Sequence, residues 1–295
     1  MPDPSGVPDA ADSPDPALVA GFVAARAHVL AEIADACARS GRDPAGVTLV
    51  SVSKTVDVVK LRAAVAAGLA TLGENRVREA EEKVPAVPGA RWHLVGPLQS
   101  NKARRAVAIF DLIESVDSVA LAVRLDRLAG ELRPGRTLPV LLQVNVDADP
   151  AKAGFTPDDL ATALPALVGL PNLELRGLMT VGRLVATAAE ARSTFRALRV
   201  LSERLREPAP HPARGGAAAV TASTRGLGPA LSMGMSDDYP VAVEEGATLV
   251  RVGRALFGER SHVHPGGAAH VHPGGAEHVH ARGGVPAPAP AADRG

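Results

Sequence analysis

What most constrains this chain is an alternation. Short β-prone apolar runs recur at residues 47–53, 71–74, 92–95, 112–116, 139–146, 173–179, 230–233 and 248–252, separated by stretches rich in Ala, Leu, Arg and Glu. Several of these runs are continuously apolar, the pattern of a strand buried on both faces in a parallel sheet covered by helices. The helical stretches carry their own boundary signals. Val58, Leu61 and Val65 repeat at helical spacing ahead of Gly68, a C-terminal stop. Asp117 or Ser118 stands where it can cap a helix running through Leu121, Leu125 and Leu128. A longer helix comes first, with Leu18, Phe22, Val29, Ile33 and Cys37 on one face and its end at Ser40 and Gly41. Repeated strand–helix units at this spacing predict the α/β class and a single (β/α)8 TIM barrel; a doubly wound open sheet satisfies the same periodicity.

The chain of 295 residues is longer than the alternating region. Residues 1–16 are rich in Pro and Asp, and residues 261–295 run through a His/Gly/Pro-rich repeat into Pro/Ala sequence. Neither composition buries enough apolar surface to offset the entropy of ordering, so both are expected to be disordered around a barrel domain at 17–260. Within that domain residues 207–228 read as a flexible insertion. A hydrophobic fraction of 46% excludes a wholly disordered chain. With 32 basic residues against 32 acidic ones there is no overall field to draw in nucleic acid or anionic lipid, and 2% aromatic residues argue against a base-stacking platform. The lone Cys37 cannot form an internal disulfide. The N-terminus has no basic and apolar signal pattern, and charges or Gly/Pro interrupt every candidate for the roughly 18 apolar residues needed to cross a bilayer. The expectation is therefore a cytoplasmic protein with no nucleic acid and no membrane as partner.

Three segments concentrate chemistry. In LVSVSKTVDV, Lys54 stands where a buried strand gives way to a loop, which in a barrel is the C-terminal mouth. Desolvation there lowers a lysine pKa and leaves a neutral amine able to form a Schiff base, although a solvated loop lysine is the plainer reading. In LSMGMSDDYP and TLVRVGRALFGER, Ser232 lies in a small-residue turn at a strand end and Gly253 precedes the short helical stretch 254–257. Glycine and backbone amides at such a junction can form a phosphate site, which barrels often build after strands seven and eight. Arg251 projects from the last strand, and an arginine in a barrel interior needs a carboxylate or a ligand acceptor. In RWHLVGPLQSNKARRA, His93, Gln99, Asn101 and Lys102 gather around a strand end, with His93 read as a hydrogen-bonded strand histidine and Asn101 as a cap. Glu74 and Asn75 close the second strand, while Glu79, Glu81 and Glu82 read as an exposed helix face. The tail places His262, His264, His270, His272, His278 and His280 in three HVH units, whose imidazoles can share a transition metal; no carboxylate or thiolate pattern closes a site, and no metal is assigned.

Taken in order, SVSKT, LGENRVREAEEK, WHLVGPLQSNK, IESVDS, LLQVNV, LRGLMT, LSMGMSDD and LVRVGRALFG resemble the pyridoxal phosphate homeostasis family, which is related to the barrel domain of alanine racemases. The resemblance covers residues 47–260 and implies a barrel holding one pyridoxal 5′-phosphate (PLP). It implies Lys54 as the Schiff-base lysine, Asn75 beside the cofactor ring, and Ser232 with the backbone of Gly253 and Arg254 around the phosphate. It also implies Arg251 facing the pyridine nitrogen, where a permanent cation disfavours protonation and makes the ring a weak electron sink. The lysine motif departs from the family, which often continues it with a proline-containing loop. Racemisation needs an acid and a base on opposite faces of the cofactor, and the only tyrosine, Tyr239, sits beside Pro240 on the presumed phosphate side. The leading expectation is a non-catalytic PLP-binding protein, a monomer or weak dimer, that supplies the cofactor to apo-enzymes. The alternative is a low-activity PLP-dependent amino-acid racemase.

Overall fold

The computed structural model describes residues 13–182, 187–207 and 226–258. Eight parallel strands close into a barrel in chain order: β1 (Thr48–Val52), β2 (Thr71–Glu74), β3 (Arg91–Leu94), β4 (Leu112–Val116), β5 (Leu138–Gln143), β6 (Leu173–Met179), β7 (Ala230–Met235) and β8 (Leu249–Val252). Closure is made by β8 pairing with β1, Leu249 to Val252 lying level with Thr48 to Ser51. That pairing excludes the doubly wound sheet, which has two open edges. Helices α1 (Pro16–Ser40), α2 (Val58–Ala66), α3 (Val77–Lys83), α4 (Ala103–Ile109), α5 (Val119–Leu132), α6 (Pro157–Val168), α7 (Arg192–Arg206), α8 (Tyr239–Glu244) and α9 (Arg254–Phe257) surround the sheet.

The local signals read from the sequence act as expected at most junctions. Asp15 caps α1 by accepting from Ala17 N–H at 2.8 Å, and Gly41 ends it at φ 67°. Of the two candidates ahead of α5, Ser118 makes the cap, accepting from Leu121 N–H at 3.4 Å. Strand ends differ from the expected ones by up to three residues, β5 ending at Gln143 where 146 was expected. The seventh runs on to Met235, two residues past its expected end, and that difference decides which serine reaches the rim.

Two apolar bodies hold the fold. The larger lies between the strands and the helical layer and includes Leu61, Leu72, Phe110, Ile113, Leu125 and Phe195, all fully buried. The smaller fills the barrel itself with Val50, Leu112, Leu141, Met179 and Leu249, the inward residues that a parallel barrel stacks in layers. Because α9 has only four residues, it leaves the β8–β1 side thinly covered, and α1 fills that place against α2, α8 and α9. Phe22 of α1 meets Phe257 of α9 edge to face, with ring centroids 5.5 Å apart. Cys37, near the other end of α1, is buried and is a free thiol whose pKa burial pushes up.

Helix α1 corrects one expectation. Its 25 residues are long and apolar enough, by length and composition, to cross a membrane. Gly21 and the few charged side chains were read as interruptions, but alanine-rich turns carry the helix through them. In the fold, Phe22, Val29, Ile33, Ala36 and Cys37 form its buried stripe. The expected insertion at 207–228 falls outside the described residues except for residue 207 and its last three, where Gly228 N–H donates to Leu175 O at 2.7 Å and Leu227 joins the core. Of the arm expected at 1–16, residues 1–12 lie outside the described residues, as does the tail with its histidines, while Asp15 and Pro16 cap and open α1.

Candidate functional site

The parallel strands bring all their C-terminal ends to one rim, so residues that follow β7, β8, β1 and β2 become neighbours although they are far apart in sequence. Lys54 lies two residues past β1 and is half-buried. Ser53 is still held to the sheet, its N–H donating to Gly73 O at 2.9 Å, and the chain then turns through Thr55 at φ 66°. A β-branched residue in that left-handed region costs about 1–2 kcal/mol, so other contacts must fix the turn. They come from α3. Thr55 N–H donates to Glu79 Oε1 at 2.6 Å, and Lys83 Nζ donates to Ser53 O at 2.8 Å, Glu79 Oε1 at 2.6 Å and Glu74 Oε1 at 2.8 Å. Ser53 Oγ also donates to Glu74 Oε1, at 2.7 Å. Burial pushes the Glu74 pKa up against the hydrogen bonds from Lys83 and Ser53. Burial also opposes the charge on Glu79, but there the Lys83 and Thr55 hydrogen bonds and the Lys83 and Arg76 charges win and hold its pKa low. Glu79 is thus not the exposed helix residue its spacing indicated.

Asn75 follows β2 at the same rim. Gly96, after β3, comes so close that a Cβ there would lie 2.4 Å from Asn75 O, so only glycine lets the two turns meet. Gly253 follows β8, beside Val52 of β1, and its N–H donates to Ser236 Oγ at 3.2 Å. The Arg254 side chain turns outward to an ion pair with Asp237, leaving its backbone N–H as the group it can offer at the rim.

Ser232 is the sequence-predicted residue that the fold puts elsewhere. It pairs with Leu249, two positions before Arg251 on β8, and is fully buried inside the barrel. Its Oγ donates to Glu114 Oε2 at 2.6 Å. Because β7 continues to Met235, the serine that leaves the strand at the rim is Ser236. LSMGMS contains both serines two residues on either side of its glycine, and only the strand's true end distinguishes them.

Below the rim a polar row crosses the barrel. His93 Nδ1 lies 2.8 Å from Glu114 Oε1, Ser232 Oγ binds Glu114 Oε2, and Arg251 donates from one nitrogen to Ser232 Oγ at 2.5 Å and from another to Thr180 O at 2.8 Å. All four side chains are buried. Burial draws the Arg251 pKa down, opposed by Glu114 and Asp238, and a guanidinium stays cationic nonetheless. The hydrogen-bonded strand role read for His93 agrees with this geometry, and the Glu114 partner was missed: IESVDS gives no periodicity that marks one inward carboxylate. Gln99 and Asn101 lie in an exposed turn beyond β3, away from His93, and Asn101 makes no side-chain cap.

Tyr239 is also elsewhere than expected. It is 2% exposed at the start of α8, and its hydroxyl donates to Glu32 of α1, on the outer layer of the barrel. Burial, then the Glu32 carboxylate, push its pKa upward and keep it neutral.

The rim therefore offers one half-buried lysine, one asparagine, a serine hydroxyl and two backbone N–H groups from four adjacent strand ends, over a buried guanidinium. That donor set suits a small molecule bearing a carbonyl and a phosphate. The alanine racemase N-terminal domain family model matches residues 28–261. The pyridoxal phosphate homeostasis protein of Pseudomonas aeruginosa is 41% identical over 243 residues, 81% of this chain and 96% of that protein. The Synechocystis protein of the same name is 39% identical over 220 residues, 74% of this chain and 93% of that protein. Among solved structures, PipY of Synechococcus elongatus PCC7942 with PLP bound is 44% identical, with a TM-score of 0.63, covering 77% of this chain and 100% of that chain. By the span of the family match and the coverage of these relatives, this chain belongs to the pyridoxal phosphate homeostasis protein family, built on the barrel of the alanine racemase N-terminal domain.

Proposed function

We propose that this chain binds pyridoxal 5′-phosphate at the rim formed by β7, β8, β1 and β2, holds it covalently on Lys54, and serves PLP homeostasis in the cytoplasm by supplying the cofactor to apo-enzymes without robust catalysis. The observation that carries the reading is that Gly253, hydrogen-bonded to Ser236, lies beside Val52 of β1, two residues before Lys54, in a family one of whose members has been solved with PLP bound. When bound, the cofactor supplies an aldehyde with which a primary amine condenses, releasing water.

The remaining work falls to the chain's own residues. Ser236 Oγ and the N–H groups of Gly253 and Arg254 are the donors for the phosphate, with Gly253 allowing close backbone approach. Ser236 takes the place first assigned to Ser232, whose hydroxyl is committed to Glu114. Asn75, which follows β2 at the same rim, would stand beside the ring. Arg251, anchored on Thr180 O and Ser232, would face the ring nitrogen, where its permanent cation would disfavour a proton. An electron sink weakened in this way suits retention of the aldehyde better than stabilisation of a carbanion. The tyrosine that was the sequence's candidate for a second acid is tied to Glu32 on the outer layer, which further supports a carrier.

The test is borohydride reduction of the PLP-saturated protein followed by peptide mapping. A phosphopyridoxyl group on Lys54 alone is the expected result, and an unmodified Lys54 overturns the assignment. The carrier half is tested by α-deuterium exchange into L-alanine in heavy water: Lys54-dependent exchange at ordinary enzyme rates, about 1 s⁻¹ or faster, overturns it.

A further inference from the structure

The α3 contacts to the Lys54 turn have a specificity that core filling does not require. Glu79 and Lys83 stand one turn apart on α3 and pair with each other, Nζ to Oε1 at 2.6 Å. Lys83 is 6% exposed, and its three protons meet three acceptors: Ser53 O, Glu74 Oε1 and Glu79 Oε1. Two of the groups reached are main-chain: the carbonyl of residue 53 and, through Glu79, the N–H of residue 55. These are the residues immediately before and after Lys54. Residue 55 is a threonine held at φ 66°, a conformation it does not adopt by preference.

We propose that Glu79 and Lys83 are positioning residues for Lys54: the pair clamps the peptides on either side of it and holds the strained turn in the one conformation from which the amine is presented at the rim. This rests on the reading of Lys54 as the attachment point for PLP, and adds that attachment depends on two residues that do not touch the cofactor. The electrostatics agree with the geometry, since Glu79 is held in its charged form by Lys83 while Glu74 is pushed towards neutrality by burial. Glu79 is therefore the counter-charge of Lys83, and Glu74, whose Oε2 has no hydrogen-bond partner among the described residues, chiefly fixes Ser53. The clamp explains how this sequence can carry SKTVDV, without a proline to stiffen the loop after the lysine: the stiffness comes from α3.

The test compares Glu79→Ala with Glu79→Gln in the full-length chain. Glu79 is a partly exposed side chain, 25%, so its truncation leaves the buried core intact. In the cofactor-free protein, hydrogen exchange at the Thr55 amide is expected to accelerate at least tenfold in Glu79→Ala. It is expected to stay near wild type in Glu79→Gln, which keeps an oxygen acceptor. Titrated with PLP, Glu79→Ala is expected to bind about tenfold more weakly, equivalent to about 1.4 kcal/mol, with Glu79→Gln recovering most of the loss. Lys83→Met, which keeps the stem and removes the donors, is expected to reproduce both effects of Glu79→Ala. Unchanged exchange at Thr55 overturns the clamp, and faster exchange with PLP affinity within twofold of wild type overturns its role in positioning. Absence of a Lys54 adduct in the wild-type chain is a different failure, that of the PLP reading itself; the exchange measurement, made without cofactor, is independent of it.

Discussion

Glu114→Gln probes the polar row inside the barrel. Glu114 is fully buried, with His93 Nδ1 at 2.8 Å on one oxygen and Ser232 Oγ at 2.6 Å on the other, and Ser232 in turn accepts from Arg251 at 2.5 Å. Burial alone pushes the Glu114 pKa up, but the His93 hydrogen bond, the His93 and Arg251 charges and the Ser232 hydrogen bond together hold it below its ordinary value of 4.5. The carboxylate is thus the compensating charge for a buried guanidinium. Removing one partner of a buried pair costs about 3–5 kcal/mol, because the other charge is left uncompensated. Glutamine keeps one acceptor oxygen, which places the expected loss near the lower end, about 3 kcal/mol. For a domain of this size that corresponds to a fall in Tm of roughly 6–12 °C. Thermal and urea unfolding of Glu114→Gln, Arg251→Met and the double variant provide the assay. The double variant should lose at least about 1 kcal/mol less than the sum of the singles, since it no longer strands a charge. The pH dependence has a fixed sign. A carboxylate with a depressed folded-state pKa contributes stability that is present above its unfolded value of 4.5 and is lost as pH falls through the lower folded value, so the gap between wild type and Glu114→Gln should close below that point. Additivity of the two single variants within about 0.5 kcal/mol, or a gap that persists unchanged in strong acid, refutes the reasoning.

Other variants test separate parts of the structure. Gly96→Ala forces a Cβ to within 2.4 Å of Asn75 O; a loss of about 2–3 kcal/mol in urea unfolding is expected, with weaker PLP binding because Asn75 is displaced. Tyr239→Phe removes the hydrogen bond to Glu32 and should lower stability by about 1 kcal/mol while leaving the visible spectrum of the PLP-loaded protein unchanged, since the hydroxyl is on the outer layer. Ile33→Ala, at a position 1% exposed on α1, should cost about 2–4 kcal/mol, which unfolding in aqueous buffer reads directly; a loss under about 0.5 kcal/mol means that α1 does not seal the β8–β1 side.

The barrel was legible in the sequence because its strands are apolar on both faces and its helices carry caps and stops of ordinary kinds. Lys54, Asn75, Gly253 and Arg254 were legible as rim residues for the same reason: each follows directly on such a run. The placing of residues failed where it depends on strand ends. An error of two residues in the end of β7 put Ser232 at the rim, whereas at about 3.3 Å of rise per residue it lies four residues below Ser236, inside the barrel. Glu79 was read as surface, and Lys83 was not singled out, because helical spacing records which residues share a face and says nothing of what lies opposite it. The Glu114 row was invisible for a further reason. Its members come from β3, β4, β7 and β8, and no local pattern joins four strands across a barrel. Tyr239 was placed by its neighbour Pro240, but the fold turns α8 towards α1.

On the proposed reading, the polar row and the rim act on the cofactor in one direction. A ring-nitrogen partner that could donate or accept a proton would let the ring gain electrons when a substrate bond breaks; Arg251 can only donate, and its donors are directed by Thr180 O and Ser232. Glu114 compensates that charge from below and makes the guanidinium tolerable in a buried place without changing what it is. At the rim, the clamp of Glu79 and Lys83 fixes the backbone on either side of Lys54 from α3, so the amine is held where the aldehyde would arrive. Firm capture and poor activation of the same carbonyl compound are contradictory in a catalyst and compatible in a reservoir. The two properties separate experimentally: substitutions in the clamp should change how much PLP is held, whereas Arg251→Met, if it still folds, should change what the held PLP can do. A rise in α-deuterium exchange in that variant, at undiminished PLP occupancy, is the expected sign that the buried arginine and not the rim is what keeps this chain from racemase chemistry.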